Sequence, residues 1–135
     1  MRAVERFCRY AAYDTQSSEV SGTSPSTEKQ LVLAKALCEE LTALGAENAH
    51  VDEFGYVYGW VPAAPGCEAA PALGLIAHMD TTPDLTGKDV KPQIIHYEGG
   101  DIVLNQEKNI VMEAARFPEL AKFVGQDLVC TDGTT

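Results

Sequence analysis

The sequence has few positively charged residues. Ten Lys and Arg stand against 20 Asp and Glu among 135 residues, which gives a formal net charge of −10 at pH 7. A surface of this sign is repelled by the phosphates of nucleic acids and of anionic membranes, so we expect neither as a partner. No apolar stretch is long enough to span a bilayer, and the charged N-terminus has no apolar signal core. We therefore expect a cytoplasmic protein.

The sequence also lacks a C-x-x-C motif, a phosphate-cradling glycine motif and a G-x-S-x-G elbow. The four cysteines, at positions 8, 38, 67 and 130, form no C-x-x-C pair, which argues against a Cys-rich zinc site. Cys8 and Cys38 fall on apolar helix positions, where we expect small core residues. A reducing compartment is the simplest setting for such cysteines. Without a phosphate-cradling glycine motif or a G-x-S-x-G elbow, phosphate binding of that kind and serine hydrolysis have no support.

The chain has enough apolar residues for the core of one modest domain, because 45% of it is hydrophobic. Helical spacing of Val4, Phe7, Cys8 and Ala11 predicts a short amphipathic helix. Residues 27–30 match a capping box, and the apolar pattern after them predicts a longer helix that ends at Gly45. A third, short helix is predicted for residues 118–124.

Strand patterns alternate with these helices, which favours an α/β fold. Residues 50–54 and 56–61 flank a glycine and predict a hairpin. Residues 94–97 and 101–104 predict a second hairpin, and residues 127–131 a last strand. The almost uniformly apolar run of residues 72–78 predicts a central strand that is covered on both faces. A polar loop, residues 81–92, follows it.

The end of that central strand carries the most informative motif, His78-Met79-Asp80. Ligands of α/β sheets bind at the carboxyl ends of strands, and period-two alternation directs both side chains to one side. An imidazole with a carboxylate two residues on suits a metal ligand and the partner that orients it. The alternative is a surface histidine followed by a turn aspartate.

Other polar and aromatic residues favour ordinary structural roles. His50 and His96 are expected on the surface. Asp101 and Asp132 stand beside glycines and are expected to stabilise turns, although Asp132 is also a candidate support for a metal loop. Tyr56, Tyr58 and Trp60 share one face of a strand and predict a core or an interface.

Several short segments, taken in order, carry a family resemblance. They are residues 5–7, 13–17, 25–28, 74–81, 92–94, 99–102 and 131–135. Their order and spacing resemble the M20 family of dizinc metallopeptidases, and within it the tripeptide aminopeptidases. The resemblance covers nearly the whole chain. It implies a zinc aminopeptidase that releases the N-terminal residue from tripeptides.

The resemblance also implies a fold and a set of site residues. Residues 1–135 would form the N-terminal portion of a three-layer α-β-α catalytic domain with a mixed sheet. His78 would bind one of two zinc ions, and Asp80 would be the catalytic aspartate that orients the ligands and tunes the site. The carboxylate that bridges both metals and the general base come after residue 135 in the family. We therefore expect the isolated chain to be inactive and to self-associate through apolar surface that later strands would cover.

Two alternatives remain open. The chain could belong to another M20 hydrolase, such as a dipeptidase or an acyl-amino-acid deacylase. It could also be a non-catalytic domain that binds a partner or a single metal.

Overall fold

The computed structural model describes residues 2–134, which divide into two compact units. One unit runs from Thr15 to Leu85, and the other combines the chain up to Asp14 with the chain from Thr86 onward. In chain order the elements are α1 (Ala3–Ala11), α2 (Gln30–Ala43), β1 (Glu47–Val51), β2 (Val57–Trp60), β3 (Gln93–Tyr97), β4 (Ile102–Asn105), β5 (Ile110–Met112), a 3₁₀ helix (Pro118–Phe123) and β6 (Gln126–Cys130).

Helix α2 packs against the hairpin β1–β2 in the Thr15–Leu85 unit. Its Leu33 and Ala34 are buried, as the apolar spacing predicts. Gly45, with a φ of 88°, ends the helix, and the backbone N–H of Ala46 donates to the carbonyl of Leu41 at 3.0 Å. This is the predicted glycine stop, in which a left-handed residue lets the chain bond back to the last turn.

The predicted capping box is wrong. Lys29 precedes the first helical residue, and no side chain among the described residues caps the helix. The hydroxyl of Thr27 donates instead to the carbonyl of Gln16 at 2.8 Å, so it is not available to the helix. The helix therefore begins at Gln30, two residues later than a Thr27 cap would place it.

The hairpin around Gly55 is confirmed. Strands β1 and β2 pair antiparallel, with His50 opposite Tyr58, and Gly55 has a φ of 86°. The turn is held by Asp52, whose Oδ1 accepts the backbone N–H groups of Phe54 and Tyr56 at 2.9 and 2.8 Å. The aromatic face is not part of a core, because its three rings are about half exposed: Tyr56, Tyr58 and Trp60. The other predicted role of this face, an interface, stays a prediction.

The predicted central strand at residues 72–78 does not form. Leu73, Leu75 and Ile76 are 83%, 88% and 101% exposed. A strand buried on both faces needs a neighbouring strand on each side and covering layers above and below. Within residues 2–134 no strand pairs with this run, and the sheets are two-stranded and antiparallel. Helices and strands in one chain confirm the α/β character, whereas the three-layer domain with a mixed sheet stays a prediction.

The second unit contains the two other sheets, β3–β6 and β4–β5. Both predicted strands at residues 94–97 and 101–104 form, but their predicted pairing with each other is wrong. Strand β3 pairs with β6, which places Ile95 opposite Leu128, and β4 pairs with β5. The Gly99–Gly100 turn therefore connects two strands that belong to different sheets. Gln93 joins the two sheets, since its Nε2 donates to the carbonyls of Leu104 and Thr131 at 3.0 Å each.

The last predicted elements are close to their expected positions. The helix at residues 118–124 is a 3₁₀ helix, and Gly125 follows it with a φ of 81°. Helix α1 is confirmed, but the expectation that Cys8 and Cys38 are core residues is wrong, because both side chains are only half-buried. No helix within residues 2–134 is long and apolar enough to cross a membrane.

Candidate functional site

His78 and Asp80 face each other as the sequence motif predicts, although the strand that should carry them is absent from the described sheets. Nδ1 of His78 lies 3.1 Å from Oδ1 of Asp80 and 3.0 Å from the Asp80 carbonyl oxygen. Both of these atoms are acceptors, so Nδ1 is assigned as the protonated nitrogen. The His78 side chain is 86% exposed, and within residues 2–134 its Nε2 has no hydrogen-bond partner.

Ser17 holds the other oxygen of the same carboxylate. Its hydroxyl donates to Oδ2 of Asp80 at 2.6 Å. This distance is typical of a short hydrogen bond to an ionised oxygen. Ser17 lies in a segment whose composition predicts only a polar loop. The resemblance of residues 13–17 to a known family is the one sequence signal that marks it.

The charge of Asp80 is stabilised by these contacts. The hydrogen bond from Ser17 lowers the pKa of the Asp80 carboxyl below its ordinary value, and the bond from His78 acts in the same direction. Partial burial opposes both effects, because it disfavours the charged form. Asp80 is therefore an anion at neutral pH and a lasting acceptor for the imidazole.

A short parallel bridge brings Ser17 to Asp80. Gln16 pairs with Thr81, through bonds from the Ser17 N–H to the Thr81 carbonyl at 2.9 Å and from the Thr81 N–H to the Thr15 carbonyl at 3.1 Å. The side-chain amide of Gln16 also donates to the carbonyls of Pro83 and Leu85 at 3.0 and 2.8 Å. Residues 15–17 thus hold the loop that follows the His-x-Asp motif.

Residues 15–17 are in turn fixed to the chain that leads into helix α2. The buried side chain of Gln30 donates from Nε2 to the carbonyl of Thr15 at 3.4 Å and to the Ser26 hydroxyl at 3.1 Å. The Thr27 hydroxyl bonds the carbonyl of Gln16. Because buried polar groups are costly unless they are paired, this network gives the site a defined support.

The chemistry of His78 and Asp80 fits one ligand position of a zinc site. Metal-binding histidines commonly donate their second ring N–H to a carboxylate, which fixes the tautomer and leaves the other nitrogen for the metal. The His78–Asp80 contact has this arrangement. A zinc site needs about three protein ligands, and residues 2–134 contain no group of three or more His, Cys, Asp or Glu that could hold an ion. The described chain therefore offers one side chain whose surroundings fit a ligand position, and not a complete site.

The two other histidines are on the surface, as predicted. The ring of His50 stacks on Tyr58 with centroids 5.2 Å apart, and its Nδ1 lies 2.8 Å from the Asn48 carbonyl oxygen. Nδ1 of His96 lies 2.8 Å from Oδ1 of Asp127 across the β3–β6 pair. Both are exposed.

Asp132 stabilises a turn as expected, whereas the contact of Asp101 is not the expected turn contact, because it reaches a residue 13 positions along the chain. Oδ1 of Asp101 accepts the backbone N–H of Ala114 at 2.8 Å. Oδ1 of Asp132 accepts both the N–H and the hydroxyl of Thr134, at 3.1 and 2.6 Å. Lys91 lies 3.5 Å from the second oxygen of Asp132.

Comparison with known proteins gives a consistent set of relatives. No family model matches the chain. It is 56% identical over 133 residues to peptidase T of Desulfitobacterium hafniense (strain DSM 10664 / DCB-2), a match that covers 98% of this chain and 32% of that protein. Identity is 52% to peptidase T of Caldanaerobacter subterraneus subsp. tengcongensis and 48% to that of Parabacteroides distasonis. These two matches cover 99% and 100% of this chain and 33% of each relative.

The similarity extends along the whole chain but along only part of each relative. This chain spans about a third of the length of the curated relatives it matches. The short sequence segments indicated a resemblance to tripeptide aminopeptidases, and the comparison shows that the chain resembles proteins named peptidase T.

Proposed function

We propose that this chain is part of a zinc-dependent aminopeptidase that releases the N-terminal residue from tripeptides. Within such an enzyme, residues 1–135 would form the N-terminal part of the metallopeptidase catalytic domain. The similarity to proteins named peptidase T supports the class of reaction. Short peptides are then the expected substrates, and the cytoplasm is the expected compartment.

One observation in the structure supports a metal-dependent reaction above all others. Asp80 accepts the Nδ1 proton of His78, and the exposed Nε2 is left for a ligand. A surface histidine can also contact a carboxylate, as His96 contacts Asp127. What sets His78 apart is that its carboxylate partner is itself held by the Ser17 hydroxyl. The same pair in a metal site would keep the imidazole in the tautomer that coordinates.

The proposal assigns a distinct task to each residue. His78 would hold one of two zinc ions, and Asp80 would keep the His78 ring in orientation and in its coordinating tautomer. Zinc, when bound, would polarise the scissile carbonyl and lower the pKa of a bound water. A second metal, a bridging carboxylate and a general base would come from chain outside these residues.

The isolated chain is expected to be inactive for the same reason. A catalytic zinc site needs about three protein ligands and a base within hydrogen-bond reach of the water, and these residues supply one ligand. Incubation of the chain with a tripeptide and excess zinc should give no hydrolysis. Turnover near the ordinary enzyme median of about 10 per second would contradict this expectation.

The decisive experiment is a chimera. The third of the Desulfitobacterium peptidase T that matches this chain is replaced by residues 1–135, and the purified chimera is assayed for tripeptide hydrolysis and zinc content. At 56% identity we expect a folded enzyme that cleaves tripeptides and contains zinc. The parent enzyme and the chain alone are the controls. A folded chimera that carries the parent's zinc content and does not hydrolyse tripeptides would contradict the proposed function.

A further inference from the structure

We propose that Ser17 is a positioning residue for the His78–Asp80 pair: its hydroxyl fixes the Asp80 carboxylate so that His78 keeps its proton on Nδ1 and leaves Nε2 open. Only the identity of the ligand at Nε2 rests on the proposed function. The effect of Ser17 on the tautomer of His78 is a property of this chain alone.

The two oxygens of the Asp80 carboxylate have separate partners. Oδ1 lies 3.1 Å from Nδ1 of His78, and Oδ2 accepts the Ser17 hydroxyl at 2.6 Å. The bond to Ser17 is the shorter of the two. A carboxylate held through one oxygen turns about its side-chain torsions, whereas a second bond on the other oxygen fixes its plane. Ser17 therefore determines where Oδ1 points.

Ser17 is itself fixed by its main chain. Its backbone N–H donates to the carbonyl of Thr81, the residue directly after Asp80, at 2.9 Å. The side chain and the main chain of Ser17 thus bond two consecutive residues of the loop. Its neighbour Gln16 bonds the same loop two and four residues beyond Thr81, at the carbonyls of Pro83 and Leu85. The hydroxyl is presented to Asp80 by a backbone that has little freedom to move.

The consequence for His78 follows from the exposure of its ring. A neutral imidazole carries one proton, and the hydrogen bond made by one nitrogen decides which tautomer is populated. The His78 side chain is 86% exposed, so surrounding packing does little to fix the ring. Its contacts with Asp80 are therefore the main restraint on the tautomer. Without Ser17 the carboxylate contact is no longer fixed, and the Asp80 carbonyl oxygen, 3.0 Å from Nδ1, is the one acceptor still held in place. The tautomer with the proton on Nε2 should then gain population.

The test is histidine NMR on the full 135-residue chain with ¹⁵N-labelled imidazoles. The ¹⁵N chemical shifts distinguish the two neutral tautomers from the imidazolium, so the spectra also identify the pH at which the neutral ring is observed. The variants are Ser17→Ala, which removes the hydroxyl, and Ser17→Thr, which keeps it. The matched control is Ser18→Ala, which removes a neighbouring hydroxyl that does not contact Asp80.

We expect His78 in the unmodified chain to show a protonated Nδ1 and an unprotonated Nε2. Ser17→Ala should shift both nitrogen signals of His78 toward an average of the two tautomers, while Ser17→Thr and Ser18→Ala should leave them in place. His50, which lies in the same unit on strand β1, reports whether the fold is kept. A folded Ser17→Ala chain with an unchanged His78 spectrum overturns the proposal. A folded Ser17→Thr chain in which His78 has lost its Nδ1 proton also overturns the proposal. This second criterion does not depend on the folding of the alanine variant.

A second readout addresses the metal. In the peptidase chimera, Ser17→Ala should weaken zinc binding by about 10–100-fold, the usual effect of removing a group that supports a ligand. Ser17→Thr should restore it. A chimera without peptidase activity would count against the proposed function, and the NMR result would still decide the role of Ser17. Unchanged zinc affinity in Ser17→Ala, together with an altered tautomer, would overturn the link between the tautomer and the metal.

Discussion

Gln16 and Thr81 pair in a parallel β-bridge, far apart in sequence and directly beside the His-x-Asp motif. The bridge places the Ser17 hydroxyl 2.6 Å from Asp80. It also shows that the chain after residue 80 has a strand-like partner, while the apolar run before it has none among the described residues. The geometry at His78 is therefore determined by residues 15–17 and not by a sheet.

The first prediction separates the tasks of His78 and Asp80 in the peptidase chimera. His78→Ala should lower the zinc content, because it removes a ligand. Asp80→Asn should keep most of the zinc and lower tripeptide turnover by about 10–100-fold, because the amide no longer holds the imidazole as the carboxylate does. Metal analysis and kinetics on both variants provide the measurement.

The control for these variants is His96→Ala. His96 is also exposed and also contacts an aspartate, Asp127, but it lies in the other unit and has no assigned role at the site. It should leave zinc content and turnover unchanged. Normal zinc content and activity in His78→Ala would show that the assignment of His78 is wrong.

The second prediction concerns Gly133. A Cβ at this position would lie 2.6 Å from Cγ2 of Ile110, and its φ is 72°. The left-handed conformation costs a non-glycine residue roughly 1–2 kcal/mol. Overpacking against Ile110 adds about 1–3 kcal/mol. Gly133→Ala should therefore lower the free energy of unfolding in urea by clearly more than Gly100→Ala, which has a φ of 77° and no heavy atom within 4 Å of the new Cβ. Equal losses would contradict the packing at Ile110.

The third prediction is a loss of stability in acid that depends on Asp132. The hydroxyl and the backbone N–H of Thr134 hold the pKa of the Asp132 carboxyl below its ordinary value, with Lys91 acting in the same direction. A carboxyl whose pKa is lower in the folded state binds fewer protons there than in the unfolded chain. Its contribution to stability is complete above the ordinary pKa, and it is lost as the pH falls through the folded-state value.

Urea unfolding at a series of pH values between about 5 and 2 tests this sign. Asp132→Asn should reduce the fall in unfolding free energy with decreasing pH, and Glu107→Gln, at an exposed position, should not change it. An identical pH dependence in Asp132→Asn and in the unmodified chain would show that the Thr134 contacts do not stabilise the charged form.

Local patterns in the sequence predict those elements whose partners are close along the chain. The apolar spacing and Gly45 predict helix α2, and Gly55 predicts the β1–β2 hairpin. Both elements are predictable because they depend on contacts between residues that are close in sequence. The contact between His78 and Asp80 is predicted for the same reason, since the two residues are two positions apart.

Pairings between distant segments are not encoded in such patterns. The composition of residues 94–97 predicts a strand but does not identify β6 as its partner. The run at residues 72–78 has the composition of a buried strand, and burial depends on neighbours that no local pattern supplies. Ser17 is a polar loop residue by sequence, and only the fold shows that it reaches Asp80.

The last prediction concerns self-association of the chain. Leu73, Leu75 and Ile76 form a nearly fully exposed apolar run, and contiguous exposed apolar surface favours association. The net charge of −10 opposes it, because like-charged copies repel. Burial of one isoleucine contributes about 1.5–3 kcal/mol, so a few such side chains outweigh moderate repulsion at ordinary salt. We therefore expect the average mass in light scattering to rise with concentration.

Two variants with the same change in charge test whether this run is responsible. Ile76→Asp removes an apolar side chain from the run, and Val20→Asp makes an equivalent change at a position that is 94% exposed in a separate loop. If the run drives association, Ile76→Asp should weaken it by about 10-fold or more, the equivalent of 1.4 kcal/mol, whereas Val20→Asp should have only the small effect of the added charge. An apolar contact is sensitive to which side chain is lost, whereas general charge repulsion is not. Equal effects of the two variants would therefore show that residues 72–77 do not mediate association. A chain that stays monomeric at every concentration would show the same.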